Sequence, residues 1–261
     1  MRTMKTIIMR AALPLVALLA FTSVVFAQTG IVNTKHNLSS AGVQAIKGQF
    51  AEICVYCHTP HGGQQAIGND TGPLWNRNYT PGAFQVYASY TLDTSPSNPP
   101  TSVSKACLSC HDGTLGLNQL INQPGPGSGS PIGSDTNPIG TVPPGTNNMA
   151  LIGTDLRDDH PVSMIYQDAK SYGTGAAIGI DSYAAGFRAA AIVGTRPVIQ
   201  NAPITLPLYG TSLATSKVEC GSCHDPHEER SKTGALDPAK SVYFLRVAND
   251  NSQLCLTCHL K

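Results

Sequence analysis

The residues with the most chemistry to offer in this chain are its cysteines. All eight fall into four copies of one pattern: Cys54-Val-Tyr-Cys57-His58, Cys107-Leu-Ser-Cys110-His111, Cys220-Gly-Ser-Cys223-His224 and Cys255-Leu-Thr-Cys258-His259. Cys-x-x-Cys-His is the attachment signature of a c-type haem. The two thiols add across the vinyl groups on one porphyrin edge, and the next residue's imidazole then lies under the iron. Five consecutive residues thus supply both covalent anchor and proximal ligand. Two blander readings compete: an exported chain with an even cysteine count can form disulfides, and paired Cys-x-x-Cys units can hold zinc. Neither explains a histidine directly after the second cysteine in four motifs out of four. The pattern therefore predicts four covalently bound haem c groups. Cys54, Cys57, Cys107, Cys110, Cys220, Cys223, Cys255 and Cys258 are the expected anchors, and His58, His111, His224 and His259 the proximal ligands.

Four histidines are left over, His36, His61, His160 and His227, and four irons need four distal ligands. A lone loop histidine is most often a surface residue; the matching count is what singles these out. Methionine is the rival axial ligand, with Met149 and Met164 available after the leader, so a His/Met site stays open beside the expected four bis-histidine haems. His61 and His227 share a local frame, Cys57-His58-Thr59-Pro60-His61 and Cys223-His224-Asp225-Pro226-His227. Three residues reach at most ~10 Å, too short a path round a macrocycle. Each must serve a haem other than the one its own motif anchors. The simplest assignment pairs neighbours along the chain: His36 with the first haem, His61 with the second, His160 with the third and His227 with the fourth. His36, near the start of the mature chain, can instead reach a neighbouring subunit.

Little regular structure is expected to position these groups. Arg2, Lys5 and Arg10, the apolar run Ala11 to Phe26 and the small-residue end Val25-Phe26-Ala27 read as an export signal over residues 1–27. That run contains Pro14, Thr22 and Ser23 and is short for the ~20 apolar residues of a membrane span. No transmembrane segment is expected in the mature chain. Residues 28–261 are expected to form one domain, with haem-pair lobes at about 28–115 and 155–261 and a Gly/Pro-rich surface loop at about 124–148. The leader takes three of the 17 basic residues, leaving 14 against 16 acidic ones, a balance that argues against a nucleic-acid partner. With 6% aromatic residues, 25 Gly and 19 Pro, an ordinary core is thin for this length. Short helical turns are expected around Ser102–Cys110 and Tyr183–Val193, a hairpin near Pro197–Leu208 turning at Asn201-Ala202-Pro203, and an extended segment at Val242–Val247. Tyr56, Trp75 and Tyr243 are aromatics that can pack on porphyrin or, equally, on loops. The fold class is mostly irregular chain with short α-helices and few β-strands, wrapped around four haems. Asn37-Leu38-Ser39, Asn69-Asp70-Thr71 and Asn78-Tyr79-Thr80 fit the glycosylation triplet, which chance also supplies.

Seven stretches carry a family resemblance: His36-Asn37-Leu38-Ser39, Cys54 to His61, Pro73-Leu74-Trp75-Asn76, Cys107 to Thr114, Asp159-His160-Pro161-Val162-Ser163, Cys220 to His227 and Leu254 to His259. Over nearly the whole mature chain the sequence resembles multihaem c-type cytochromes with doubled Cys-x-x-Cys-His motifs, and within these the OmcE-like tetrahaem extracellular cytochromes of metal-reducing microbes. The resemblance implies bis-histidine haems in alternating stacked and T-shaped pairs, and subunits joined head to tail into a filament. It also implies a distal histidine donated by the adjoining subunit. Iron capped on both faces has no open position, so an electron-transfer protein is expected rather than an enzyme. Three functions stay open: a secreted extracellular conduit passing electrons to other redox proteins or external acceptors, a periplasmic monomeric shuttle, and a multihaem reductase. The last needs a five-coordinate haem, often marked by lysine in place of the motif histidine, and no motif here departs in that way.

Overall fold

The computed structural model of the chain describes residues 30–42, 46–67, 70–79, 83–90, 92, 94–124, 150–166, 186–227, 244–247 and 249–260. The leader expected at 1–27, the Gly/Pro-rich stretch from 125 to 148, Met149, Tyr243 and the first residues of the helical turn expected at Tyr183 lie outside them. The described chain is mostly loop. Three short α-helices, α1 (Ser102–His111), α2 (Cys220–Cys223) and α3 (Gln253–Cys258), accompany nine short strands in four small sheets. None of these helices is long and apolar enough to cross a membrane.

α1 forms where the sequence predicts it. Pro99 and Pro100 precede a ten-residue run free of Pro and Gly. Ser104, Ala106, Leu108 and Ser109 form its buried face. Gly113 ends it at φ +74, the left-handed position glycine occupies at helix ends. α2 lies so close to α1 that a Cβ on Gly221 would overlap Tyr209 Oη and sit 3.1 Å from Val103 Cγ1. A larger residue at this place in the third motif would force the Tyr209 side chain to shift.

The largest sheet runs β6 (Ala190–Val193), β7 (Arg196–Asn201), β8 (Ile204–Pro207), antiparallel in chain order. The expected hairpin is β7–β8, with Asn201 opposite Ile204 and a cis Ala202–Pro203 bond in its turn, the arrangement of a type VI turn. The helical turn expected at Tyr183–Val193 is corrected over its last four residues, which are β6. Ile192 and Val193 are β-branched, and Gly194 at φ +61 closes a two-residue turn onto β7, so pairing outweighs the helical preference of the alanines. The expected extended segment at Val242–Val247 contributes, within its described part, one bridge from Leu245 to His224, with Phe244 at φ +61.

The apolar core is small. Met164, Tyr166, Ile199, Leu208 and Val218 cluster together with Phe187, Ala190 and Cys258 against them, which gives Met164, a rival ligand by sequence, a packing role. Met164 and Val218 face each other across the pair β5 (Met164–Ile165) and β9 (Lys217–Val218). Phe84, Leu108 and Leu156 make a second cluster beside β3 (Gln85–Val86) and β4 (Asp155–Leu156). Tyr56 is fully buried, its Oη accepting from Phe50 N at 2.7 Å and donating to Phe50 O at 3.2 Å. It serves ordinary packing.

Candidate functional site

Cysteines three apart on a helical turn share a face, and every motif sits on such a turn. The first occupies a 3-10 turn at Cys54–Tyr56, the second the end of α1, the third α2 and the fourth the end of α3. In the first, third and fourth motifs the helix stops at the histidine. Its N–H returns to the first cysteine's carbonyl, at 2.8, 2.9 and 2.9 Å for His58, His224 and His259. Each of these histidines then makes a single antiparallel bridge, to Trp75, Leu245 and Phe187 respectively.

Around each bridge the same frame recurs. Asn76, Arg246 and Arg188 donate their backbone N–H to the carbonyls of Cys57, Cys223 and Cys258 at 2.9, 2.8 and 2.9 Å. The residue after each histidine, Thr59, Asp225 or Leu260, donates to Leu74, Phe244 or Gly186 at 3.0, 2.8 and 2.8 Å. The side chains of the same three residues reach one further equivalent carbonyl, that of the residue after the first cysteine. Asn76 Nδ2 donates to Val55 O at 2.7 Å, Arg246 Nε to Gly221 O at 2.7 Å and Arg188 Nε to Leu256 O at 3.0 Å. Carbonyls in a last helical turn lack partners within it; here a side chain supplies them. The second motif departs, because α1 continues and Asp112 N–H caps Leu108 O at 3.0 Å.

Sequence reasoning missed Asn76, Arg188 and Arg246 as supporting residues. The one signal available is a donor directly after an apolar residue, in Trp75-Asn76, Phe187-Arg188 and Leu245-Arg246. It has no fixed spacing from the motif. Asn76 is fully buried; it also donates to Asn122 O at 2.7 Å and accepts from Asn122 N at 2.8 Å. Asn76→Ala strands these groups and is expected to lower stability by about 2 kcal/mol, read from a denaturant midpoint.

All eight cysteines are free thiols, so no disulfide joins them. Cys57 lies near Cys110, Cys107 near Cys220, and Cys223 near Cys255 and Cys258. The motifs therefore follow one another in space in their chain order. Burial pushes the Cys57 and Cys258 thiols up to about 12 and Cys223 up to about 11. Among the described residues no three or more His, Cys, Asp or Glu side chains converge on a possible metal position.

Two pairs of histidine rings come together. The ring centres of His58 and His227 are 6.1 Å apart with planes at 22°, and those of His36 and His111 are 6.1 Å apart with planes at 69°. An imidazole nitrogen bonds a metal at about 2 Å and its ring centre lies about 1 Å beyond, so two rings capping one metal have centres about 6 Å apart. Both pairs match that separation. His160 lies near His259, whose pKa is held down by burial first and by His160 second. His61 is exposed, and among the described residues its ring faces no other imidazole. Its carbonyl accepts from Thr59 Oγ1 at 3.1 Å and Asn122 Nδ2 at 2.6 Å.

This arrangement differs from pairing along the chain. His36 faces the second motif, His227 the first, and His160 approaches the fourth. The cause is tertiary: the turn after the third motif carries Pro226, whose carbonyl accepts from His36 Nδ1 at 2.9 Å, and His227 beside it reaches His58. His111 and His160 likewise donate from Nδ1 to Ala150 O at 2.6 Å and Pro161 O at 3.0 Å. Carbonyls only accept, so Nδ1 carries the proton in these three rings and Nε2 keeps its lone pair. Burial pushes His36 down to about 4 and lowers His111 as well, which favours the neutral, ligating form. Asp225 Oδ1 lies 3.6 Å from His227 Nδ1, and His227 first, aided by Arg246, holds that carboxyl down to about 2. No protein-family model matches the chain, and no curated protein sequence matches it either.

Proposed function

We propose that the protein is a secreted electron-transfer protein that binds four haem c groups between paired histidines, and that its subunits join head to tail into an extracellular filament. The observation that carries this reading is the 6.1 Å separation of two imidazole pairs, each made of one motif histidine and one histidine from outside the motifs. The repeated frame around three motifs and the eight free thiols support it. Held between two imidazoles, haem supplies a one-electron iron couple with no open coordination position. The chain's part is to anchor through the cysteines, cap with histidine on both faces, and fix the His36, His111 and His160 rings by their Nδ1 hydrogen bonds so that Nε2 is presented. Burial around His36 and His111 keeps water from that pair.

Export follows from the leader at 1–27. Filament formation draws on the family resemblance, and the exposed ring of His61 is open to a neighbouring subunit. Tyr90, Ile192 and Val193 are exposed large side chains, at 89%, 47% and 49%, that assembly would cover. Cryo-electron microscopy of the native secreted fraction, with haem quantified by the pyridine haemochrome assay, tests both parts. Four haems per chain in a polymer is the expected result; four haems in a monomer retained in the periplasm replaces the filament with a shuttle. Binding of carbon monoxide by the intact reduced protein overturns the closed-site reading and restores a reductase.

His227→Ala is expected to convert a quarter of the haem to a high-spin, carbon-monoxide-binding form. Electron paramagnetic resonance of the purified variant measures this, and an unchanged low-spin spectrum removes His227 from the ligand set.

A further inference from the structure

Arg77 is fully buried. Its Nη1 and Nη2 donate to Leu117 O and Gly116 O, both at 2.7 Å, and its Nε has no partner. Among the described residues no carboxylate pairs with it, in contrast to Arg246, which sits 3.0 Å from Asp225 Oδ2. A buried cation without a counter-ion is costly to a fold, and a neutral amide donor would cap the same carbonyls without that cost. The position of the charge is specific. Arg77 follows Asn76, the residue that frames the first motif, and its two acceptors lie just beyond His111 of the second. Its chain neighbour Asn76 donates to Cys57 O at 2.9 Å and to Val55 O at 2.7 Å inside the first motif, while its own guanidinium is pinned to the carbonyls of Gly116 and Leu117 in the segment that leaves the second. One permanent positive charge is thus placed between the first two motifs, in an interior where water screens it little.

We infer that Arg77 is a tuning residue that raises the reduction potentials of the first and second haems, leaving the third and fourth largely untouched. The inference rests on the haem binding proposed above. Reduction adds one electron, and so one negative charge, next to a cation; the ferrous state is favoured and the potential rises. Arginine does not titrate in proteins, so the effect is independent of pH.

The test is spectroelectrochemical titration of purified, haem-loaded wild-type protein, Arg77→Met and Arg77→Lys, at pH 6 and pH 8. In Arg77→Met about half of the haem absorbance is expected to titrate at more negative potential while the rest follows the wild-type curve, equally at both pH values. Arg77→Lys, which keeps the charge, is expected to stay close to wild type. If Arg77→Met does not accumulate, Arg77→Gln carries the same expectation with one donor kept for Gly116 or Leu117. A neutral variant with full low-spin haem content and an unmoved curve overturns the inference, as does an equal shift of all the haem, or a lysine variant that shifts as far as the methionine one. A wild-type protein without haem defeats the underlying reading instead, before any variant is compared.

Discussion

Replacing Cys255 and Cys258 together with serine is expected to lower the haem content of the purified protein by a quarter and leave the other three groups in place. The fourth motif suits this experiment because of its position. Cys255 is exposed, and α3 is held by contacts that do not involve its sulfur atoms: Thr257 Oγ1 donates to Gln253 O at 2.8 Å, and Arg188 Nε to Leu256 O at 3.0 Å. Cys258 only borders the main apolar cluster, and serine there is smaller but close in shape. The ratio of pyridine haemochrome to protein, with the intact mass of the chain, gives the outcome directly. A variant that keeps its full haem complement, or a wild-type chain whose mass shows no adduct, defeats the assignment of Cys-x-x-Cys-His as the attachment site. Loss of every haem would mean instead that the fourth motif is needed for folding.

The second large effect concerns Glu219, a carboxyl only 1% exposed. It accepts from Thr101 Oγ1 at 3.2 Å and Ser163 Oγ at 2.8 Å and also caps the start of α2. Burial, partly offset by the hydroxyls of Ser104, Ser163 and Thr101 and by Lys217, pushes its pKa from 4.5 up to about 7. Between these values the folded protein holds a proton that the unfolded chain has released. Stability therefore falls as pH rises through that window, by about 3 kcal/mol in total from this one group. Glu219→Gln keeps an acceptor for the hydroxyls but cannot ionise, so the variant is expected to lose less stability than wild type between pH 4.5 and pH 7. Thermal midpoints of both proteins at the two pH values measure the difference. Parallel pH profiles would show that Glu219 ionises as an ordinary carboxyl.

What the sequence made legible was local. α1 follows from a run without helix breakers and the β7–β8 hairpin from Asn201-Ala202-Pro203. The short reach from His58 to His61 and from His224 to His227 also made clear that those second histidines must look elsewhere. What they look at was not legible. His227 reaches His58, and His36 reaches His111, through contacts between segments far apart in the chain, and no spacing rule encodes them. The same holds for Asn76, Arg188 and Arg246, whose common task emerges only once three bridges are compared. β6 was misread because its alanines favour a helix in isolation, whereas its partner β7 decides the outcome.

The bridge that frames a motif comes from later in the chain for His58 and His224, and from earlier for His259. Each such unit is thus closed by two short peptides whose order and connecting length are free. Long insertions, a grafted peptide tag or even a relocated chain terminus between the two peptides should leave the unit intact. Adding another unit requires only a second pair of such peptides, which offers a simple route by which chains of this kind lengthen.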